Sequence, residues 1–332
     1  MSQSAVVVTG AAGFIGAALV ERLLADPQLS PKDILGVDED SLFQARSCSS
    51  RFAPQISTLS VEAFTSALSR GDCKPSVIFH LGASSSTEEM REDYLKRVNE
   101  EYSKTLWNFC QIENIPFFYA SSGATYGAGE HGFSDDPTKL SLFKPLNPYG
   151  RSKHRFDLFV QSQVASGQGP SRWAGFKFFN VYGPGEEHKG SQASVVWHAA
   201  KQVAQTGALK LFESHRPGIA HGHQQRDFVY VEDLVDVLLA FWKSPDLKSG
   251  LYNVGTGAAR TFLDLASAVF RVLKKPEKID FIPTPQRLRE HYQYYTQAEL
   301  TRLRTAGFRA PFTSLEVGVE KTLQEMKKIG KL

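Results

Sequence analysis

The segment AVVVTGAAGFIG, residues 5–16, constrains this chain most. Its first five residues form a short continuous apolar run, the mark of a strand buried on both faces. The run ends at Gly10, and apolar residues then recur at helical spacing: Phe14, Ala17, Ala18, Leu19, Leu23 and Leu24. Gly10, Gly13 and Gly16 occupy the turn and the helix start. A glycine at the first position permits a tight turn. The second lets backbone approach a ligand, and the third lets the helix lie close on the strand. Bare amides at a helix N-terminus attract anions, so the pattern predicts a dinucleotide pyrophosphate at this end of a parallel sheet. The spacing is G-x-x-G-x-x-G rather than G-x-G-x-x-G.

The strand–helix rhythm continues. DILGVD, SVIFHLGA, IPFFYASS and WAGFKFFNVYG read as strands, and REDYLKRVNEEYSKTLWNFCQIEN and NPYGRSKHRFDLFVQSQVA as helices. Asn147 suits an N-cap and Pro148 the first helical position. Such alternation predicts an α/β fold, a Rossmann-type doubly wound parallel sheet. The rhythm changes after Gly183, and RDFVYVEDLVDVLLAFWKS reads as helical throughout. A length of 332 residues leaves room for a smaller C-terminal α/β substrate-binding lobe. The expected division is a dinucleotide-binding domain over 1–181, with 226–254 returning to it, and a lobe made of 182–225 and 255–332.

Bulk properties exclude several classes. A net charge of +3 is too small to argue for nucleic acid. No apolar run approaches the roughly 18 residues of a membrane span. Cys48, Cys73 and Cys110 make neither a disulfide framework nor a metal motif, which points to a reducing cytoplasm. The N-terminus reads as a strand rather than a signal peptide. His215, His221 and His223 lie in a Gly-rich loop without a carboxylate or cysteine cluster, so a surface loop is expected there and no metal.

Tyr149 and Lys153 stand four residues apart and share a helix face. Taking a hydride from an alcohol carbon needs a base for the hydroxyl proton. Lowering a tyrosine to a pKa of about 7 takes roughly 4 kcal/mol, which one cation a few ångströms away can supply. Ser122, at a strand end, would polarise the same oxygen. Asp38 ends the second strand, where a ribose-binding acid belongs. Glu39 and Asp40 follow, and each repels a 2′-phosphate by about 3 kcal/mol at about 5 Å and an effective dielectric near 20. Arg46 and Arg51 could offset this if their loop folds back.

The glycine spacing and the Tyr-x-x-x-Lys pair resemble the extended short-chain dehydrogenase/reductase superfamily. That resemblance implies catalytic roles for Ser122, Tyr149 and Lys153. It also sets Phe14, Ile15, Asp38, Glu39, Leu81, Gly82, Ala83, Ser84, Ser85 and Asn99 beside the cofactor. Superfamily 4,6-dehydratases carry acids directly after the serine, where this chain has Gly123 and Ala124. FFNVYGPGEEHKGSQASVVWH, KLFES, RDFVYVEDL, YNVGTG and HYQYYTQAEL narrow the likeness. With them, nearly the whole chain resembles the ADP-L-glycero-D-manno-heptose 6-epimerases.

The resemblance implies oxidation of the exocyclic C6 alcohol to a ketone, then return of the hydride to the opposite face. The oxygen then points two ways in the two half-reactions, so a second acid/base, Lys189, joins Tyr149. Lys189 could instead, or in addition, grip a diphosphate and border the cofactor. Asn180, Ser191 and His198 are implied as sugar contacts, with Val181 beside the nicotinamide. Phe212, Glu213, Ser214 and His215 would line the nucleotide, Arg226 the diphosphate, and Tyr292 the sugar. The family implies NADP, a homo-oligomer (often a pentamer), and a role in lipopolysaccharide inner-core assembly. Two departures stand out. DEDSLFQARSCSSR is poor in the lysines expected around an NADP phosphate, which leaves NAD as the alternative, and the 215–225 loop is long, with histidine where a small residue is usual. A UDP-hexose 4-epimerase and a non-catalytic cofactor-binding sensor or scaffold are the competing readings.

Overall fold

The computed structural model describes residues 5–46, 55–289 and 292–332. Cys48, Arg51 and His291 lie outside them. In chain order the strands are β1 (Ala5–Thr9), β2 (Ile34–Val37), β3 (Ser57–Leu59), β4 (Pro75–His80), β5 (Phe117–Ser122), β6 (Trp173–Phe178), β7 (Asn180–Tyr182), β8 (Leu209–Phe212), β9 (Gln225–Tyr230), β10 (Gly250–Val254), β11 (Ala259–Thr261) and β12 (Ile279–Ile282). The helices are α1 (Phe14–Leu24), α2 (Asp40–Arg46), α3 (Val61–Arg70), α4 (Glu92–Leu95), α5 (Tyr102–Ile112), α6 (Pro148–Ala165), α7 (Val195–Thr206), α8 (Val231–Lys243), α9 (Phe262–Leu273), α10 (Gln286–Arg289), α11 (Thr301–Ala306) and α12 (Leu315–Lys328).

Seven strands form a parallel sheet in the order β10-β6-β5-β4-β1-β2-β3. This is the doubly wound α/β fold the sequence predicts. The chain runs outward from β1 through β2 and β3, then crosses to β4 on the other side. That reversal opens a crevice at the carboxyl ends of β1 and β4, where such folds take ligands. Val6, Val8, Phe79 and Phe176 face one way against Leu19 and Leu23 of α1 and Leu234 and Leu238 of α8. Val7, Ile78 and Phe117 face the other way, against Phe64, Leu106 and Phe156. Alternating residues of one strand thus enter two cores, which is why these strands read as unbroken apolar runs.

A third cluster joins α7, α9 and α12 over Val203, Val269 and Leu323. Two small sheets border it, β11-β9-β7 and β12-β8. Within residues 226–254, α8 packs on α1 and β10 pairs with β6, whereas most of β9 pairs with β7 and β11 outside the large sheet. The segment expected to be helical throughout thus begins as a strand: RDFVY lies in β9, and the helix starts at Val231. Asp227 explains this. Its carboxylate accepts bonds from the amides of Thr256, Gly257 and Ala298, tying β9 to the turn after β10 and to the C-terminal motif.

Candidate active site

The turn after β1 is built by exclusion of side chains. Gly10 has φ +72°, and a Cβ there would lie 2.6 Å from the Gly82 nitrogen. A Cβ on Gly16 would lie 2.0 Å from the Gly10 carbonyl oxygen. Gly13 is less crowded: a Cβ there would meet little besides the Gly10 oxygen at 3.1 Å, which leaves open backbone for a pyrophosphate. The Ala12 and Glu39 amides donate to the Asp38 carboxylate at 2.9 and 3.0 Å. Burial raises the Asp38 carboxyl above its ordinary value, and these amides oppose the rise. Glu39 is exposed at the start of the same rim. Leu81, Gly82, Ala83 and Ser84 pass across the crevice half-buried, and Ser85 is exposed.

Asn99 does not stand free toward the crevice. It is fully buried in a π-turn, Lys96–Glu101, between α4 and α5. Its side chain accepts from the Ser84 amide at 2.9 Å. It donates to the Ser84 carbonyl at 3.0 Å and to the Ser152 hydroxyl at 2.9 Å. Ser152 in turn donates to the Tyr149 carbonyl at 2.7 Å. Asn99 therefore locks the loop after β4 to the helix that carries Tyr149. Single π-turns inside helices often mark functional sites for this reason: the extra residue re-aims a side chain.

Helix α6 starts as its sequence requires, with the Asn147 side chain accepting from the Gly150 amide at 2.7 Å and Pro148 in the first turn. Tyr149 and Lys153 follow on one stripe. The Lys153 ammonium donates to the Ala120 carbonyl at 2.9 Å. Burial lowers Lys153 to about 8, partly offset by the Asp157 carboxylate. Burial raises the Tyr149 phenol, and a hydrogen bond with Ser122 works against that rise. In this geometry Ser122 pulls the phenol down, while the Lys153 ammonium, one helical turn on, is held by a β5 carbonyl.

Lys189 sits in a 3-10 turn, Glu187–Gln192, just beyond β7. Its ammonium lies 5.0 Å from the centre of the Phe14 ring and 3.7 Å from the Glu186 carboxylate. The turn therefore reaches back to the first residue of α1 and borders the glycine crevice. Glu186 and Arg46 hold it there. Fully buried Glu186 accepts from the Gly183 amide at 3.1 Å and from the Ser194 amide and hydroxyl at 2.5 and 2.7 Å. Arg46, 1% exposed at the end of α2, donates to the Gly185 carbonyl at 3.2 Å, bonds His188, and lies 3.7 Å from Glu187. Arg46 thus joins the end of α2 to the Lys189 turn. No local motif advertises it, because its partners lie well over a hundred residues away.

A second pocket wall forms around Arg226, which is 8% exposed. Its guanidinium stacks 5.3 Å from the Tyr292 ring and 5.7 Å from the Phe262 ring, and it donates to the Gln225 carbonyl at 2.8 Å. Burial works against its charge, and the Tyr292 phenol works the other way. Among the described residues no carboxylate pairs with it. His215 packs edge-on to Tyr292 and Tyr294, its amide donates to the Tyr294 hydroxyl at 2.8 Å, and its buried Nδ1 has no partner among the described residues. A planar cation and an unsatisfied imidazole nitrogen against aromatic rings suit a nucleoside diphosphate. Phe212, Glu213 and Ser214 lead into this wall half-buried. His221 is a structural member of the long loop: its Nδ1 accepts from the Ser214 amide at 2.9 Å and its ring packs on Phe281.

Residues 6–255 match a family model, the NAD dependent epimerase/dehydratase family. This chain belongs to that family. An ADP-L-glycero-D-manno-heptose-6-epimerase of Fusobacterium nucleatum is 42% identical over 331 residues, covering 96% of this chain and 97% of that protein. One from Nitratidesulfovibrio vulgaris is 41% identical over 94% of this chain and 95% of its own. Among solved structures, the Helicobacter pylori ADP-L-glycero-D-manno-heptose-6-epimerase superposes with TM-score 0.78 at 25% identity, covering 98% of this chain and 96% of that one. A Methanobrevibacter ruminantium UDP-N-acetylglucosamine 4-epimerase superposes with TM-score 0.80 at 20% identity, over 99% of this chain and all of that one, a likeness of fold.

Within this epimerase/dehydratase fold the remaining expected residues fall in different places. Val181 is half-buried on β7, and Asn180 is exposed, its amide oxygen 3.5 Å from the Thr296 hydroxyl. Ser191 is exposed on the Lys189 turn and His198 on α7. No helix among the described residues is long and apolar enough to cross a membrane.

Proposed function

We propose that the protein is an ADP-L-glycero-D-manno-heptose 6-epimerase that interconverts the D-glycero and L-glycero forms through a C6 ketone. One observation supports the reading: two proton-bearing side chains, Tyr149 and Lys189, stand on separate elements. Tyr149 rises from α6 with Ser122 behind it, and Lys189 comes from the turn after β7 with Glu186 behind it.

The residues fit a nicotinamide dinucleotide. The turn at Gly10, Gly13 and Gly16 would hold the pyrophosphate, Asp38 the adenosine ribose, and Lys153 and Val181 the nicotinamide end. When bound, that group takes up and returns a hydride at C6. Tyr149 moves the hydroxyl proton in one half-reaction and Lys189 in the other. Ser122 polarises the oxygen at C6. Arg226, His215 and Tyr292 hold the ADP moiety, while Asn180, Ser191 and His198 bound the sugar. Of the two dinucleotides we infer NAD. Asp38, Glu39 and Asp40 line the ribose end, and Arg46 is engaged at Gly185 and Glu187. Action on a lipopolysaccharide precursor in the cytoplasm, by a homo-oligomer, completes the reading.

The test is an NMR assay with ADP-D-glycero-D-manno-heptose beside UDP-galactose, with the cofactor released on denaturation weighed by mass spectrometry. The expected result is interconversion of the heptose epimers alone, and the mass of NAD. Turnover of UDP-galactose alone would identify a 4-epimerase, and binding without isomerisation a sensor. A released mass of NADP would refute the cofactor inference.

A further inference from the structure

Behind Tyr149 and Lys153 lies a buried ion pair that neither binding nor proton transfer uses. Asp157 is fully buried on α6, eight residues after Tyr149 and four after Lys153, so the three share one stripe. Lys177, also fully buried, reaches it from β6 at 2.5 Å. The end of β5 knits these groups together. Tyr119 and Ser121 donate to the Asp157 carboxylate at 3.1 and 2.7 Å, the Ala120 carbonyl takes the Lys153 ammonium, and Ser122 bonds Tyr149. Lys177 also donates to the Thr125 hydroxyl at 2.8 Å, and Thr125 donates to the Ser122 carbonyl at 2.8 Å. Every residue from Tyr119 to Ser122 therefore touches either the acid–base pair or the ion pair.

We propose that Asp157 and Lys177 are positioning residues beneath Tyr149 and Lys153: the Asp157 carboxylate favours the protonated phenol and the Lys153 ammonium, and its pairing with Lys177 limits that bias. The inference rests on Tyr149 acting as acid/base. Asp157 without its partner would disfavour a phenolate and favour the Lys153 ammonium; Lys177 without its partner would do the reverse. Other groups facing this core are His80 from β4, Tyr119 from β5, Tyr126 beside β5, and His154 and Arg155 on α6. His80 is buried neutral, with a pKa of about 3, and Arg155 is paired at 2.7 Å with Glu100. Lys177 and Asp157 are thus a fully buried ion pair among these groups. A buried pair is weak evidence for stability, since an apolar replacement is often as stable, which makes a role in the site worth testing.

The experiment is the pH profile of kcat/KM for epimerisation in four variants. Lys177→Met is expected to move the acidic limb about one pH unit upward, and Asp157→Asn to move it downward. The double variant Asp157→Asn/Lys177→Met, and Lys177→Arg, are expected to keep the wild-type limb. If Lys177→Met does not fold, the downward shift in Asp157→Asn carries the test. An unmoved limb in the folded single variants, or a shift that persists in the double variant, would overturn the proposal. Should Tyr149→Phe retain activity, the acid–base assignment itself is wrong, which separates the two failures.

Discussion

Tyr149→Phe is expected to lower kcat for heptose epimerisation about a thousandfold while the protein keeps its cofactor. The variant removes one oxygen from a ring already packed against protein, so α6 and its cap at Asn147 stay intact. What is lost is the proton carrier of one half-reaction, and positioned general acid–base catalysis contributes about 10²–10⁴-fold. Lys153 keeps its bond to Ala120, and the turn from Gly10 to Gly16 is untouched. Release of the cofactor on denaturation should therefore give wild-type stoichiometry. A variant within tenfold of wild-type kcat would remove Tyr149 from the mechanism.

Lys189→Met is expected to produce a loss of similar size with little change in KM. Methionine keeps the apolar stem that lies over Phe14 and deletes the ammonium. Burial already raises the Glu186 carboxyl, and Lys189 is the strongest influence holding it down. Without the lysine, Glu186 can take up a proton and remain bonded to Ser194, so the turn does not collapse around an unpaired charge. The KM separates two roles that the sequence leaves open for Lys189. A lysine that grips a diphosphate would raise KM severalfold when removed, whereas one that moves a proton lowers kcat. Wild-type kcat with a raised KM would assign Lys189 to binding.

The parts of this site that were legible in the sequence are those whose logic is local. Gly10, Gly13 and Gly16 are required by contacts within one turn, and Tyr149 and Lys153 by the period of one helix. Asn147 and Pro148 announce the start of that helix for the same reason. The strand of RDFVY was misread as helix because its direction is set by Asp227, whose partners sit at Thr256, Gly257 and Ala298. Asn99 was legible as a cofactor-side residue, but its use as a bolt between Ser84 and Ser152 depends on a π-turn that no spacing rule foretells. Arg46 and Lys177 were opaque in the same way. One read as a counter-charge for phosphate, the other as a strand residue, and only the folded chain brings Gly185 and Asp157 to them.

The central chemical event is transient oxidation at C6, with the same hydrogen returned to the opposite face. Epimerisation run in deuterium oxide and followed by NMR at C6 tests it most directly. The expected result is full interconversion of the two heptose epimers with protium retained at C6. Deuterium appearing there in step with epimerisation would mean that the carbon loses a proton to solvent, and would contradict the mechanism.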